Sequence, residues 1–426
     1  SGGFTPLHLK LEKQLCEFTG KPAGIIFPTG YTANLGAIAA LCSVKDTIYV
    51  DREVHASIID GCRLSGARLR FFAHNDTSDL SRLIQESTSG NKLVVIESVY
   101  SMGGPDADIV SFVKVAHQYG ALIMVDESHA FGFYGERGAG LSEAKGVLRE
   151  VDIFMCTLSK SLASIGGFIG GSKEIIDLIK NSSRAFIFQA CSTPASVAAA
   201  LAALELVKKS IDREKLWLNT NYFREKISQF GFLSSGTSPI VPIYCATASG
   251  AWTASQILLE KGVYTPPIVY PAVPVDESRL RFTITSTHTK DQIDKTISAL
   301  NEVRHFIFDK NIQFSTGFPL EIDVKSVDPK ILADCLRNAA DDFDVEVACA
   351  ADWVHFYCKR GRFNNNSYAL DCDYKFSVKL SSVNENIFFS NLSFLINLLE
   401  GNIKFSGALI DLSEFFNILS KLKRLS

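Results

Sequence analysis

Five short polar clusters in this chain bring together residue types that can do covalent and acid–base chemistry. Thr157-Leu158-Ser159-Lys160-Ser161 sets an amine among hydroxyls, with Gly166-Gly167 shortly after. A lysine held in a partly desolvated site loses its proton more readily and becomes a usable nucleophile. Asp126-Glu127-Ser128-His129 places an acid and an imidazole three residues apart, where both can meet one ligand. Pro28-Thr29-Gly30-Tyr31-Thr32-Ala33-Asn34 is a turn of the kind that opens a helix. Its free N–H groups suit an anion such as phosphate, with the ring of Tyr31 available to close over it. Asp51-Arg52-Glu53-Val54-His55 and Glu97-Ser98-Val99-Tyr100-Ser101-Met102-Gly103-Gly104 add further polar groups. Each cluster alone also has an ordinary structural reading: a surface lysine, Asp126 as a helix N-cap, packed histidines, or a purely structural Glu97.

What makes the clusters worth joining is the element before each one. They follow the short apolar runs 23–27, 47–50, 93–96, 122–125 and 153–156, each bounded by turn or polar residues. Amphipathic helical stretches lie at 7–18, 33–41, 55–65, 109–119 and 173–181. Strands alternating with helices predict a parallel sheet covered on both faces. Ligands of such sheets sit beyond the carboxyl ends of the strands, where these clusters fall. A long helical region at about 193–230 leads to mixed strand and helix signals, ending in a strand at 280–285 and a helix at 290–306. Beyond residue 309 the texture turns to Phe, Asn and Asp with short alternating runs such as 374–380. The expected division is a large domain at 1–235, a smaller domain at 236–309, and an additional α/β module of unknown role at 310–426.

In this order and spacing, segments 27–34, 51–57, 97–104, 125–132 and 157–167 resemble the α-oxoamine synthases. These are fold-type-I pyridoxal-phosphate acyltransferases, and the resemblance covers roughly residues 1–305. The run Leu158 to Gly167 is most similar to the serine palmitoyltransferase side of the family, with 8-amino-7-oxononanoate synthase beside it. The resemblance implies an α/β fold: a mostly parallel large-domain sheet, a smaller α+β domain, and here an extra C-terminal module. It implies pyridoxal 5'-phosphate as cofactor and Lys160 as its Schiff-base lysine. Asp126 would pair with the pyridine nitrogen, and His129 would bond the phenolic oxygen. His55 would stack on the ring and help to deprotonate or orient the substrate. The phosphate would take the backbone of Gly30 and Tyr31 and the hydroxyls of Thr157 and Ser159. Ser101 and Arg281 would meet the substrate carboxylate, a planar guanidinium being suited to bidentate binding. Arg279 shares a strand face with Arg281 and stays a second candidate. His288 reads as a loop or cap residue.

The implied reaction is decarboxylative condensation of a small amino acid with an acyl thioester (acyl-CoA or acyl carrier protein), giving an α-aminoketone. Lys160, helped by His55, would take the Cα proton. A homodimer is expected. Two other readings stay open: a different fold-type-I reaction, such as a lyase or aminotransferase, and a non-catalytic partner subunit of a heterodimeric synthase. The sequence departs from the family in three places. The resemblance puts a long N-terminal segment before Ser1-Gly2-Gly3, and a chain without it is expected to be inactive or to depend on a separate polypeptide. Gly103 stands where the family has Asp. Phe188-Gln189-Ala190-Cys191-Ser192-Thr193-Pro194 lacks the usual hydroxyl at Ala190, leaving Ser192 or Thr193 for a phosphate contact across the dimer interface. Segment 398–407 is similar in texture to sterol-carrier-type lipid domains, although a solubilising or partner-docking appendage is the expected role.

Bulk composition is that of an ordinary globular chain, not of a disordered one. Of 426 residues 46% are hydrophobic and 21% charged, and the net charge of −3 gives no electrostatic reason to bind nucleic acid. No apolar run reaches the roughly 18 residues of a membrane span, and the nearest, at 195–207, carries Glu205. That excludes spanning only; peripheral membrane association stays open. The ten cysteines are scattered without metal-ligand spacing, so free thiols, no metal and a cytoplasmic setting are expected.

Overall fold

The computed structural model describes residues 3–86, 90–270 and 272–310, and the strand backbones 344–350, 353–359 and 374–379. Seven strands form the main sheet: β1 (Ala23–Phe27), β2 (Thr47–Asp51), β3 (Arg68–Phe72), β4 (Lys92–Glu97), β5 (Leu122–Asp126), β6 (Ile153–Thr157) and β7 (Gly167–Gly171). Their order is β1-β7-β6-β5-β4-β2-β3. Only β7 runs antiparallel, to both β1 and β6, so β1 still points the same way as β6. The carboxyl ends of β1, β2, β4, β5 and β6 therefore share one edge. All five apolar runs are strands, and four close on a polar residue: Asp51, Glu97, Asp126 and Thr157.

Alternate strand residues feed two cores, as the period of two requires. Ile25, Phe27, Ile153, Met155 and Ile169 join a cluster with Ile38, Ile58, Leu80 and Phe112. Ile26, Phe154, Cys156 and Phe168 join the other, with Leu11 and Leu15 of helix Pro6–Thr19 and Leu204 of helix Pro194–Val207. Two strands carry no clear signal in the sequence. β3 is polar and half-exposed because it is the sheet edge. β7 is glycine-rich because it threads against the turn after β1. A Cβ on Gly167 would lie 2.7 Å from Ala33 Cβ and 2.7 Å from the Thr29 carbonyl oxygen.

A second, antiparallel sheet has the order β8 (Ile240–Tyr244), β10 (Arg279–Thr283), β9 (Pro267–Ile268). It has its own core, with Phe223, Val241, Leu258, Leu280 and Leu300. The single helix expected over 193–230 is two, Pro194–Val207 and Ile211–Gln229. Arg213 marks the break by donating to the carbonyls of Val207, Glu136 and Arg137. The stretch 290–306 likewise divides, into Lys290–Glu302 and Arg304–Phe308.

By contacts the chain separates into Ser1–Asn311 and Ile312–Ser426. In the second unit, β11 (Asp344–Ala350), β12 (Trp353–Lys359) and β13 (Tyr374–Lys379) form an antiparallel sheet. Segments 364–366 and 398–407, and any helices of that module, lie outside the described residues.

Gly167→Ala should destabilise the protein by about 2 kcal/mol, because neither contacting atom is a flexible side-chain end. A lowered urea midpoint with unchanged slope is the expected measurement.

Candidate active site

Strand register brings the polar strand ends together. Glu97 and Asp126 are direct partners across β4 and β5, and Thr157 faces Gly167 across β6 and β7. Two of the helices that start at this edge are capped by site residues. Thr29 caps helix Gly30–Leu41 and His55 caps helix Ala56–Ser65. These elements enclose a cavity of about 330 Å³ lined by Gly30, Tyr31, Asn34, His55, Ser57, Glu97, Asp126, Ser128, His129, Thr157, Ser159 and Lys160, among others. Its size is ordinary for a small-molecule site. A larger groove of about 960 Å³ shares no lining residue with it and holds none of the predicted chemistry.

Asp126 is 4% exposed and held on both oxygens. Asn34 Nδ2 donates to one at 2.8 Å, and the Ser128 N–H donates to the other at 2.9 Å. Ser128 Oγ accepts from the Thr157 N–H at 3.0 Å, which joins β5 to β6 at the site. The hydroxyls of Thr157 and Ser159 lie 2.8 Å apart. A Cβ on Gly30 would come within 2.7 Å of Thr157 Oγ1, so only glycine lets the helix start this close to those hydroxyls.

Glu97 and His129 form a contact of 3.3 Å between Oε2 and Nδ1. It is not an ion pair. Burial first, and then the adjacent Asp126, raise Glu97 to about 8. Burial first, and then Lys160, push His129 down to about 3. Near neutrality the glutamic acid therefore donates its proton to Nδ1, and Nε2 of His129 keeps the ring hydrogen. Lys160 is reachable from solvent, yet the surrounding protein still desolvates its amine. Burial lowers its pKa, opposed first by the attraction of Asp126. No carboxylate lies within 4 Å of its Nζ among the described residues.

The structure brings together Lys160, His55, Asp126, His129, Gly30, Tyr31, Thr157 and Ser159 around one cavity. The ring of Tyr31 does not close over the helix start. Its hydroxyl bonds Asp60 and its ring meets His55 edge-on at 6.2 Å. Ser101 lies in the turn after β4, outside the cavity lining. Arg281 also lies outside the lining, but its charge acts on both Lys160 and His129. Its buried Nε has no hydrogen-bond partner. Arg279 is committed elsewhere: it pairs with Glu277 at 2.6 Å and covers the Tyr244 ring at 4.8 Å. His288 accepts from the Thr285 N–H at 3.2 Å, as a turn residue.

Gly103 has a φ of +79°, and a Cβ there would meet Pro242 Cδ at 2.8 Å, so no aspartate fits without a shift. Thr193 is spent capping helix Pro194–Val207. Ser192 is 7% exposed, and its carbonyl bonds His8 Nε2 at 2.9 Å. Asn34, Ser57 and Ser128 were missed from the sequence. Their signal was position, since each stands within a motif next to a helix start or strand end.

The donor set suits pyridoxal phosphate. Helix-start amides and two hydroxyls meet a phosphate, a buried carboxylate meets a pyridinium, and an amine without an ion pair meets an aldehyde. Residues 3–300 match the family of class I and II aminotransferases. A serine palmitoyltransferase of Sphingobacterium spiritivorum is 42% identical over 307 residues, covering 71% of this chain and 76% of that protein. An 8-amino-7-oxononanoate synthase of Geotalea daltonii is 39% identical over 307 residues, covering 71% and 78%. The solved structure of SPT with its PLP internal aldimine superposes with a TM-score of 0.69 at 33% identity, covering 71% of this chain and 78% of that one.

A carboxyl raised from 4.5 to about 8 stabilises the fold fully below pH 4.5 and loses that contribution as pH rises to about 8. The urea midpoint of the cofactor-free protein should therefore fall between pH 6 and 8 by more than that of Glu97→Gln, which cannot ionise.

Proposed function

The chain belongs to the class I and II aminotransferase family, on its α-oxoamine synthase branch, and we propose that it condenses a small amino acid with an acyl thioester, with loss of CO₂, in the manner of serine palmitoyltransferase. The observation that carries this is the convergence of Lys160, Asp126, His129 and His55 on one cavity, with Arg281 acting on it electrostatically.

Pyridoxal phosphate, when bound, supplies an electron sink for negative charge at the amino acid Cα. Lys160 Nζ would hold its aldehyde, and the lowered pKa leaves more of that amine neutral, the form that attacks a carbonyl and accepts a proton. Asp126, pinned by Asn34 and Ser128, would keep the pyridine nitrogen protonated. His129 would donate from Nε2 to the phenolic oxygen, because Glu97 occupies its Nδ1. The first-turn amides of Gly30 and Tyr31, with Thr157 and Ser159, would hold the phosphate. Arg281 would bind the substrate carboxylate until it leaves as CO₂, its buried Nε being a donor in need of an acceptor. Ser101 would join it. Arg279, already paired and stacked, is not needed for this.

We read the chain as a homodimer, supported by Phe188 at 74% exposure and Ile187 at 47% in the segment that faces the partner subunit in this family. Free buried thiols at Cys62, Cys156 and Cys245 support a cytoplasmic setting. No described helix is long and apolar enough to cross a membrane. Residues 1–235 and 236–309 would be the large and small domains of the transferase, and 310–426 an appended module.

With added pyridoxal phosphate the protein should develop a visible absorbance band that Lys160→Ala lacks. Thiol release from acyl-CoA should then depend on serine, alanine or glycine. No band in the parent sinks the reading, and amino-acid turnover without a thioester points to a lyase or aminotransferase. Arg281→Ala should raise the amino acid KM roughly a hundredfold, by loss of a charge-assisted contact.

A further inference from the structure

His55 occupies an unusual post for a histidine, the N-cap of helix Ala56–Ser65, where Ser, Thr, Asp and Asn prevail. Its Nδ1 accepts from the Ser57 backbone N–H at 3.2 Å, and Ser57 Oγ lies 2.8 Å from the same nitrogen. A backbone N–H can only donate. Nδ1 therefore carries the lone pair, and the proton of the neutral ring sits on Nε2. Among the described residues Nε2 takes no hydrogen bond, and the ring lines the cavity.

The cap is tied to a distant carboxylate. Ser57 Oγ receives a hydrogen from Asn34 Nδ2 at 3.0 Å, which turns the serine's own proton toward His55. The second Nδ2 hydrogen goes to Asp126 at 2.8 Å. Asn34 and Ser57 are 2% and 1% exposed, so these bonds form away from water, where they are strong. Turning the amide over would aim Oδ1 at the carboxylate, so its orientation is set by the network. Oδ1 is left buried without a partner, an unfavourable state that the two N–H bonds must offset. On the other side, Glu97 accepts the backbone N–H of His55, and Tyr31 meets the ring edge-on.

We propose that Asn34 and Ser57 are positioning residues, and that the chain Asp126–Asn34–Ser57–His55 holds His55 in its Nε2–H tautomer, so that the ring donates a hydrogen bond and does not take the substrate's proton. This rests on the reaction proposed above and divides its labour. The Cα proton goes to Lys160 Nζ alone, and His55 is a donor.

Nitrogen-15 spectra of histidine-labelled, cofactor-free protein at about pH 8, above the ordinary imidazole range, report which ring nitrogen is protonated. His55→Gln identifies the signal by its loss. The parent should show His55 protonated on Nε2. In Asn34→Ala and in Ser57→Ala the minor Nδ1–H fraction should rise roughly fivefold, the worth of one ordinary hydrogen bond. Ser57→Ala keeps the backbone donor and decides the matter should Asn34→Ala not fold. A parent ring protonated on Nδ1, or a fraction unmoved in Ser57→Ala or in folded Asn34→Ala, overturns the relay. The readout needs no cofactor, so its failure is distinct from the missing visible band that would sink the reaction.

Discussion

Glu97 and Asp126 stand side by side at the ends of two paired strands, both almost wholly out of water. Two carboxylates so placed cannot both stay charged without a large cost. The conflict is resolved by giving one of them a proton. Asp126 is held on both oxygens, by Asn34 and by the Ser128 amide, while burial first and then Asp126 push the Glu97 carboxyl up. Glu97 takes the proton, and the neutral acid then fixes how His129 presents its ring. One register position thus bears on both Glu97 and His129.

Close approach of backbone is the second requirement. The helix after β1 can start beside Thr157 only because Gly30 has no side chain. β7 slides between β1 and β6 on the same terms, through Gly167. These glycines bring the start of the helix after β1 to the strand end before the loop that bears Lys160. Glu127 anchors that neighbourhood from below: it is fully buried and accepts the Leu141 and Ser142 amides at 2.9 and 2.7 Å.

Much of the site could be read along the chain because each chemical cluster directly follows an apolar run, and strand ends are where parallel sheets bind ligands. Lys160, Asp126, His129 and His55 stand in those clusters, and the roles expected of them come from the resemblance the clusters carry together. The helix break in 193–230 is not legible, since Lys208-Lys209-Ser210 holds neither Gly nor Pro; at the break Arg213 bonds carbonyls of two segments. Nor are β3 and β7, whose compositions reflect an edge and a crowded crossing instead of strand propensity.

The sequence by itself determined that five polar clusters would meet at one sheet edge, because the alternation of strand and helix allows a parallel sheet little else. It could not tell which cluster touches which. The strand order is not the chain order, so Asn34 reaches Asp126 across 92 residues and Glu97 meets His129 across 32. Only the tertiary structure brought those partners within hydrogen-bonding distance. It also set the burial and neighbouring charges that push Glu97 up and His129 down. Protonation depends on burial and neighbouring charge, and neither is a property of the residue's place along the chain.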